Sequence, residues 1–589
     1  MNKLSYYLKK YWYLYALGIL ITVIAVILDM LPPQITKRMI DNVIIGGEMN
    51  LLPFLLAMIL IINICKAIFS YLKELIFDSL SSKIATKLRK RLFIHIQGLS
   101  ISFFDENNTG ELMSRVKDDI DRVWGAIGYV SMLIIQVFIH TGMALYFMFR
   151  ESPGLTIIPV IILPIVALLA ILMEKKLGKV YEEISEQNAV LNTVAQENLS
   201  GVRTVKSFAR EKFEIKKFLS HNKKYYQLNM KQSKVFIKLY PYFQLITKLL
   251  PMIVIFFGGQ MVIKENMSLG SLGAFTEYSM NIVWPIEMLG WLSNDLAAAF
   301  ASYKRIQKIF NKKPDIVEPE NPLVLDEVKG SIEFNNVSLT IKDKSILSDI
   351  SFSLDAGKTI GIMGATGTGK SSIINLLQRF YDVSEGEILL DGVNIKDLSL
   401  KQLRSSISLV MQDVFLFSDT INENVKMGKR ACIKEKEIIE SARYSQASEF
   451  IDKLDDGYET IIGERGVGLS GEQKQRISIA RALAKKTPIL VLDDSTSALD
   501  METEHMIQKS LTQIPATKII IAHRISAVRN ADEIIILKDG KITERGTHDL
   551  LLKEKGYYYQ TYQAQYGDYA LSNTNTHLAS DNWEVQTCQ

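Results

Sequence analysis

Apolar and polar positions follow two regimes along the chain. In the first 300 residues or so the apolar positions come in long runs. Gly125–Phe149 and Gly154–Met173 contain no Asp, Glu, Lys or Arg. At about 1.5 Å per residue, each is long enough to cross a hydrocarbon core about 30 Å thick. Four further runs carry only one or two charges each: Tyr13–Leu31, Leu51–Leu72, Tyr242–Ile263 and Leu269–Leu292. They pair with their neighbours through short connections, so the pattern predicts six membrane-spanning helices. Lys83–Gln97 and Val180–Phe218 have apolar residues at three- and four-residue spacing and few Pro or Gly. That spacing predicts helices that carry the spans well beyond the membrane. From Ile332 the pattern becomes short β-type runs alternating with helices, the mark of a parallel α/β sheet. The expected divisions are a membrane domain over 1–305, a proline- and acid-rich linker over 306–331, an α/β domain over 332–566 and a polar tail over 567–589.

Charge adds a direction to this picture. The connections Asp78–Val123 and Glu174–Lys238 are rich in Lys and Arg, whereas those at Arg150-Glu151 and Lys264-Glu265 are short and nearly neutral. Positive-inside asymmetry places the two long basic loops, both termini and everything after residue 300 in the cytoplasm. Lys3, Lys9 and Lys10 ahead of the first span agree. That span is too long for a signal peptide and lacks a small-residue cleavage site. Hydrophobic residues make up 48% and charged residues 22%, which excludes a disordered or collagen-like chain. The mean hydropathy of +0.11 averages a lipid-solvated half and a water-solvated half. Net charge is +4, too small to argue for nucleic acid. Cys65, Cys432 and Cys588 are too far apart in sequence to suggest a disulfide framework or a zinc site.

The strongest chemistry sits in the second half. Thr359–Met363 reads as a buried strand and Ser372–Phe380 as a helix. Between them runs Gly364-Ala365-Thr366-Gly367-Thr368-Gly369-Lys370-Ser371, a phosphate-binding loop in its required strand–loop–helix setting. Glycines let backbone N–H groups curl around a phosphate, and the helix N-terminus at Ser371 and Ser372 adds its dipole. Lys370 is expected at the β- and γ-phosphates of ATP, and the Ser371 hydroxyl on Mg²⁺. A second apolar strand, Ile489–Leu492, ends in Asp493-Asp494 about 120 residues downstream. Asp493 is the expected carboxylate for Mg²⁺.

With these motifs in place the chain resembles the ABC (ATP-binding cassette) exporters. More closely, it resembles their half-transporters, in which one membrane domain is fused to one nucleotide-binding domain. Leu469-Ser470-Gly471-Glu472-Gln473 is similar to the family signature LSGGQ. Gln412 falls in the Q-loop, Ser497–Asp500 in the D-loop, His523 in the switch loop, and Gly463–Gly466 in the exporter X-loop. Phe103–Asp118 and Glu197–Phe208 resemble the two cytoplasmic coupling loops. The resemblance implies a six-helix, all-α type-1 exporter membrane domain joined to an α/β P-loop NTPase. It also implies two domains closing head to tail on two ATP molecules. Ser470, Gly471 and Gln473 would then contact ATP held by the partner, Gln412 would bridge Mg²⁺ and the coupling helices, and His523 would touch the γ-phosphate. Importers of the family usually keep the two parts on separate chains, so fusion implies export through the cell membrane.

Three positions depart from the family. Asp494 stands where the water-polarising Glu is usual, one methylene shorter. Ile341 aligns with the aromatic that stacks on adenine. Glu472 replaces a Gly of the signature. Asp494 and Ile341 act on the same ATP, as in the degenerate half of heterodimeric exporters, whose partner supplies the catalytic Glu. Glu472 faces the partner's ATP, where its side chain is expected to point away. Two other readings stay open: a homodimer with two slow sites, and an ATP-gated regulatory or channel-like protein. In the spans, Asp29, Lys248, Glu277 and Glu287 are candidate functional charges, and a Lys248–Glu287 ion pair is geometrically allowed. Pro241, Pro251 and Pro285 are candidate kinks, and Tyr240, Tyr242, Phe243 and Trp284 are candidates for a cavity wall.

Overall fold

The computed structural model describes residues 4–429 and 432–566. The expected tail and Cys588 lie outside the described residues. The described residues form two units, one drawn from 4–99 and 107–313, the other from 100–106 and 314–566.

The first unit is helical. Five of its helical stretches are long and apolar enough to cross a membrane: Trp12–Ile45, Met49–Gln97, Thr109–Glu151, Pro153–Ser200 and Glu211–Ile263. The sixth expected span falls on two helices, Leu269–Asn281 and Val283–Asn311, which meet at Ile282 just before Trp284-Pro285. Pro285 sits in the first turn of the second helix, where its missing N–H costs little. Helices longer than a membrane span are present, as expected. Leu52–Gln97 is one helix of 46 residues, about 69 Å long. Val180–Phe218, expected as continuous helix, is broken. The helix from Pro153 stops at Ser200, and a short helix spans Val202–Ser207. Ala209 takes a positive φ of 49° before Glu211 opens the next helix. Pro159, Pro164, Pro241 and Pro251 all lie inside helices.

Among the described residues the second unit holds ten strands. They are β1 (Ile332–Ile341), β2 (Lys344–Leu354), β3 (Thr359–Gly364), β4 (Glu385–Leu390), β5 (Val393–Asn394), β6 (Ile407–Val410), β7 (Ile489–Asp493), β8 (Thr517–Ile521), β9 (Glu533–Lys538) and β10 (Lys541–Gly546). They make a four-stranded antiparallel sheet, β2-β1-β4-β5, and a six-stranded sheet, β10-β9-β3-β8-β7-β6. In the larger sheet every pairing is parallel except β9–β10. Strands β3, β7 and β8 are buried nearly throughout. Their unbroken Ile/Leu/Val runs follow from having both faces covered. Ser100–Glu106, expected in the membrane domain, groups with this second unit. The Ser100 hydroxyl accepts from the backbone N–H of Asp315 and Ile316 at 2.8 and 3.0 Å. Tyr381 hydrogen-bonds Asp105, and Lys342 pairs with Glu106 at 3.1 Å.

Candidate functional site

Four parallel strands end on one edge, and each delivers an expected site residue there. The loop from Gly364 to Ser371 follows β3, Asp493 and Asp494 end β7, His523 follows β8, and Gln412 follows β6. Because β8 lies between β3 and β7, His523 stands between the phosphate loop and the paired aspartates. Because β6 borders β7, Gln412 stands on the far side of those aspartates. Ligands of open α/β sheets bind outside such carboxyl ends.

Backbone geometry shapes the loop. Gly364 has φ +150°, and a Cβ there would sit 2.3 Å from the Leu537 carbonyl oxygen, so only glycine fits. Gly367, at φ +84°, has nothing within 4 Å of an added Cβ, so its backbone faces open space, and its left-handed conformation favours glycine. The Thr368 hydroxyl donates to the Ala365 carbonyl at 2.9 Å. The Lys370 ammonium, 7% exposed, donates to the carbonyls of Gly364 and Ala365, both at 2.8 Å. Burial pushes Lys370 below its ordinary value, and the charges of Asp493 and Asp494 oppose that. Burial raises Asp493, with Asp494 adding to the rise; the Ser371 hydroxyl, Lys370 and His523 oppose it. Ser371 lies in the first turn of the helix Lys370–Leu377, and its hydroxyl acts on the Asp493 carboxylate. A hydroxyl and a carboxylate side by side are the hard oxygen donors that suit Mg²⁺.

Asp494 has a positive φ of 44°, and its N–H donates to the Ile521 carbonyl at 2.8 Å, tying the end of β7 to the end of β8. Asp tolerates this left-handed region better than most residues. Ile341 ends β1 at a two-residue hairpin turn, Lys342-Asp343, whose residues have φ of 49° and 62°. Its side chain is half-buried against the adjoining core.

The signature residues lie elsewhere in the unit. Ser470 caps the helix Gly471–Ala484: its hydroxyl accepts from the Gln473 N–H at 3.2 Å, and the Gln473 side chain accepts from the Ser470 N–H at 2.9 Å. That helix packs into a separate apolar cluster around Leu416, Ile438 and Ile477. Glu472 turns onto Arg476, one helical turn on. Arg476 also donates to Thr503 Oγ1 at 2.8 Å and to the Gln446 carbonyl at 3.1 Å. The side chain of Glu472 is thus engaged by its own helix. Asp500, at the end of the D-loop, caps the next helix by accepting from the Thr503 N–H at 2.8 Å.

Sequence reasoning missed a polar hub beside this edge. Glu504 is 3% exposed and accepts from Thr496, Ser526 and Arg524, each at 3.0 Å. Arg524 also donates to the carbonyls of Ser497 and Leu499, both at 3.2 Å. No motif announces Glu504; the signal would have been a glutamate on the apolar face of a helix.

In the membrane unit, Asp29 is paired with Lys66, and His140 Nε2 lies 3.4 Å from its other oxygen. His140 Nδ1 is buried without a partner among the described residues. Among the described residues Lys248 and Glu287 do not form the ion pair that the sequence allows. Asp119, next to the expected Asp118, is 2% exposed and binds Arg305 and Arg115 at 3.0 and 3.1 Å. A cleft of ≈ 570 Å³ is lined by Trp12, Tyr15, Ile19, Ile127, Phe300 and Tyr303 among others. The aromatics expected at a cavity, Tyr240, Tyr242, Phe243 and Trp284, do not line it; Phe243 is instead packed in the apolar core of the unit.

Comparison with known proteins agrees with both units. Residues 15–286 match the family described as ABC transporter transmembrane region, and residues 347–497 match the family described as ABC transporter. An uncharacterized ABC transporter ATP-binding protein of Bacillus subtilis, YknU, is 36% identical, covering 96% of this chain and 98% of that protein. An ATP-dependent lipid A-core flippase of Syntrophus aciditrophicus is 35% identical over 90% of this chain and 89% of its own length. A bacterial Atm1-family ABC exporter solved with ATP bound superposes with a TM-score of 0.79 at 26% identity, covering 94% of this chain and 98% of that one. The chain belongs to the ABC exporters, multi-pass membrane proteins of type-1 fold whose ATP-binding domain couples ATP hydrolysis to transport.

Proposed function

We propose that this chain is one half of a heterodimeric exporter that moves amphiphilic small molecules, drugs or lipids, across the cell membrane, and that its own ATP site is the degenerate one. The observation that carries this reading is Asp494, the residue after the β7 carboxylate Asp493. A general base must lie within about 2.6–3.2 Å of the proton it takes. Losing one methylene withdraws the carboxylate by roughly 1–1.5 Å, and a misplacement of about 1 Å can cost about 100-fold in rate. Ile341 weakens the same site, because it offers adenine apolar contact without a stacking face.

In this reading the backbone of Gly364–Gly369 cradles the phosphates, and Lys370 brings its ammonium to the β- and γ-phosphates. Ser371, Asp493 and Gln412 are the residues that would hold Mg²⁺, whose chemistry is to offset phosphate charge. His523 contacts the γ-phosphate and orients water. Ser470, Gly471 and Gln473 reach the ATP held by the partner. Their helix N-terminus suits an anion, and Glu472 is drawn off by Arg476. The nucleotide-binding domain and both termini lie in the cytoplasm, as the basic loops indicate. The substrate class rests on the apolar, aromatic cleft and on relatives named for lipid A-core flipping and, in Bacillus subtilis at 33% identity, for multidrug export.

Steady-state ATPase of the assembled pair tests the division of labour. Asp494→Asn leaves the rate close to wild type, whereas Glu→Gln after the partner's equivalent aspartate abolishes it. If the chain purified alone hydrolysed ATP at an ordinary exporter rate and Asp494→Asn stopped it, the degenerate-site reading would be wrong. Stimulation of the pair's ATPase by amphiphilic drugs or lipids tests the substrate class.

A further inference from the structure

His523 needs an orientation that its own side chain does not secure. Its imidazole is exposed and makes no hydrogen bond among the described residues. The residue follows the last hydrogen-bonded position of β8, so its direction is set by the backbone of 522–525. Two backbone groups there, the His523 carbonyl and the Ile525 N–H, flank Arg524, and a single side chain binds both. The Gln565 amide nitrogen donates to the His523 carbonyl at 2.8 Å. The Gln565 amide oxygen accepts from the Ile525 N–H at 3.0 Å.

Gln565 comes from Tyr557–Tyr566, the last helix described, 42 residues further along the chain. That helix is well anchored. Glu544 accepts from the backbone N–H of Tyr557 and Tyr558. The Tyr558 ring is fully buried, with its hydroxyl 2.6 Å from His548 Nδ1. Arg524 is held separately, by Glu504 and the D-loop carbonyls of Ser497 and Leu499. The switch loop is therefore gripped on two sides. Its arginine side chain is fixed to the D-loop, and its backbone is fixed to the C-terminal helix.

We propose that Gln565 is a positioning residue for His523 and sets how well this chain's ATP site prefers ATP to ADP. The inference rests on the reading that His523 touches the γ-phosphate. Removing the clamp frees the peptide on each side of Arg524 to turn, which swings the imidazole away from the γ-phosphate position. The Arg524 anchor stays, and Gln565 is exposed, so truncation opens no cavity and leaves the fold intact.

The test is equilibrium binding of Mg²⁺-ATPγS and Mg²⁺-ADP to the full chain purified alone, where only its own site is filled. Two hydrogen bonds of ordinary net strength predict that Gln565→Ala weakens ATPγS about fivefold or more and leaves ADP unchanged. Gln565→Glu keeps the acceptor for Ile525 and loses the donor for His523, so it shows much of the same loss. His523→Ala shows the full loss of preference, and adding Gln565→Ala to it costs nothing more, because one variant acts through the other. Equal weakening of both nucleotides by Gln565→Ala, or additive losses in the double variant, would overturn the proposal. A His523→Ala variant that keeps the wild-type preference would refute the γ-phosphate role of His523 itself, and the role of Gln565 with it.

Discussion

Lys485 shows how one residue of the second unit carries a pH signature. Its ammonium donates to the carbonyls of Arg404 and Ile407, both at 2.6 Å, yet burial, aided by the charge of Lys429, pulls it down from 10.5 to about 8. Between those values the unfolded chain holds the proton and the folded chain does not. Stability rises with pH wherever the unfolded state binds more protons. Lys485 thus imposes a penalty that is full below about pH 8 and fades as pH climbs to 10.5. Lys485→Met keeps most of the stem and has no such term. The melting temperature of wild type relative to this variant is expected to rise across that window, followed by thermal unfolding in detergent at a series of pH values. A constant difference would show that Lys485 titrates normally. At the same scale, the phosphate loop, Asp493 and His523 were legible because their chemistry imposes fixed residue types at fixed spacing. Glu504, Gln565 and the pairing of Asp29 with Lys66 and His140 were not. Each is assembled from segments far apart in sequence, and no single segment carries a pattern.

Among the elements, helix starts show what the motifs do structurally. Asp500 belongs to a family motif, and in the structure it is also the cap of Met501–Thr512, with its second oxygen 3.1 Å from the Thr503 hydroxyl. Loss of a side-chain cap costs about 1 kcal/mol. For a domain of this size that is about 2–4 °C in melting temperature. Asp500→Ala should show this drop, and Asp500→Asn, an equally good cap, should not. An asparagine variant as unstable as the alanine one would mean that the charge near Arg476, not the cap, matters. The helices themselves were largely readable, because lipid demands long apolar runs and a helix extending from one needs only a continuing stripe. The break at Ser200–Glu211 was not, since Gly201 is one glycine in an otherwise helical pattern. The split at Ile282 was hinted at only by Pro285. Register and the antiparallel sheet were also hidden, because short β-type runs do not state their partners.

For the whole molecule, the proposed degenerate site turns on whether a shorter carboxylate slows this chain's ATP turnover. Asp494 sits at a positive φ, which costs an ordinary L-residue about 1–2 kcal/mol and Asp less. Restoring the missing methylene recovers up to about 100-fold in rate, or about 2.7 kcal/mol of barrier. The backbone cost of glutamate falls on folding stability and leaves the barrier term in place. The prediction needs the assembled pair, with the partner's own catalytic Glu replaced by Gln so that only this chain's Walker site can turn over. In that background Asp494→Glu should raise single-turnover ATP hydrolysis about tenfold or more, with ATP binding unchanged. A rate that stays at the Asp494 level while nucleotide binding is intact would place the impairment elsewhere.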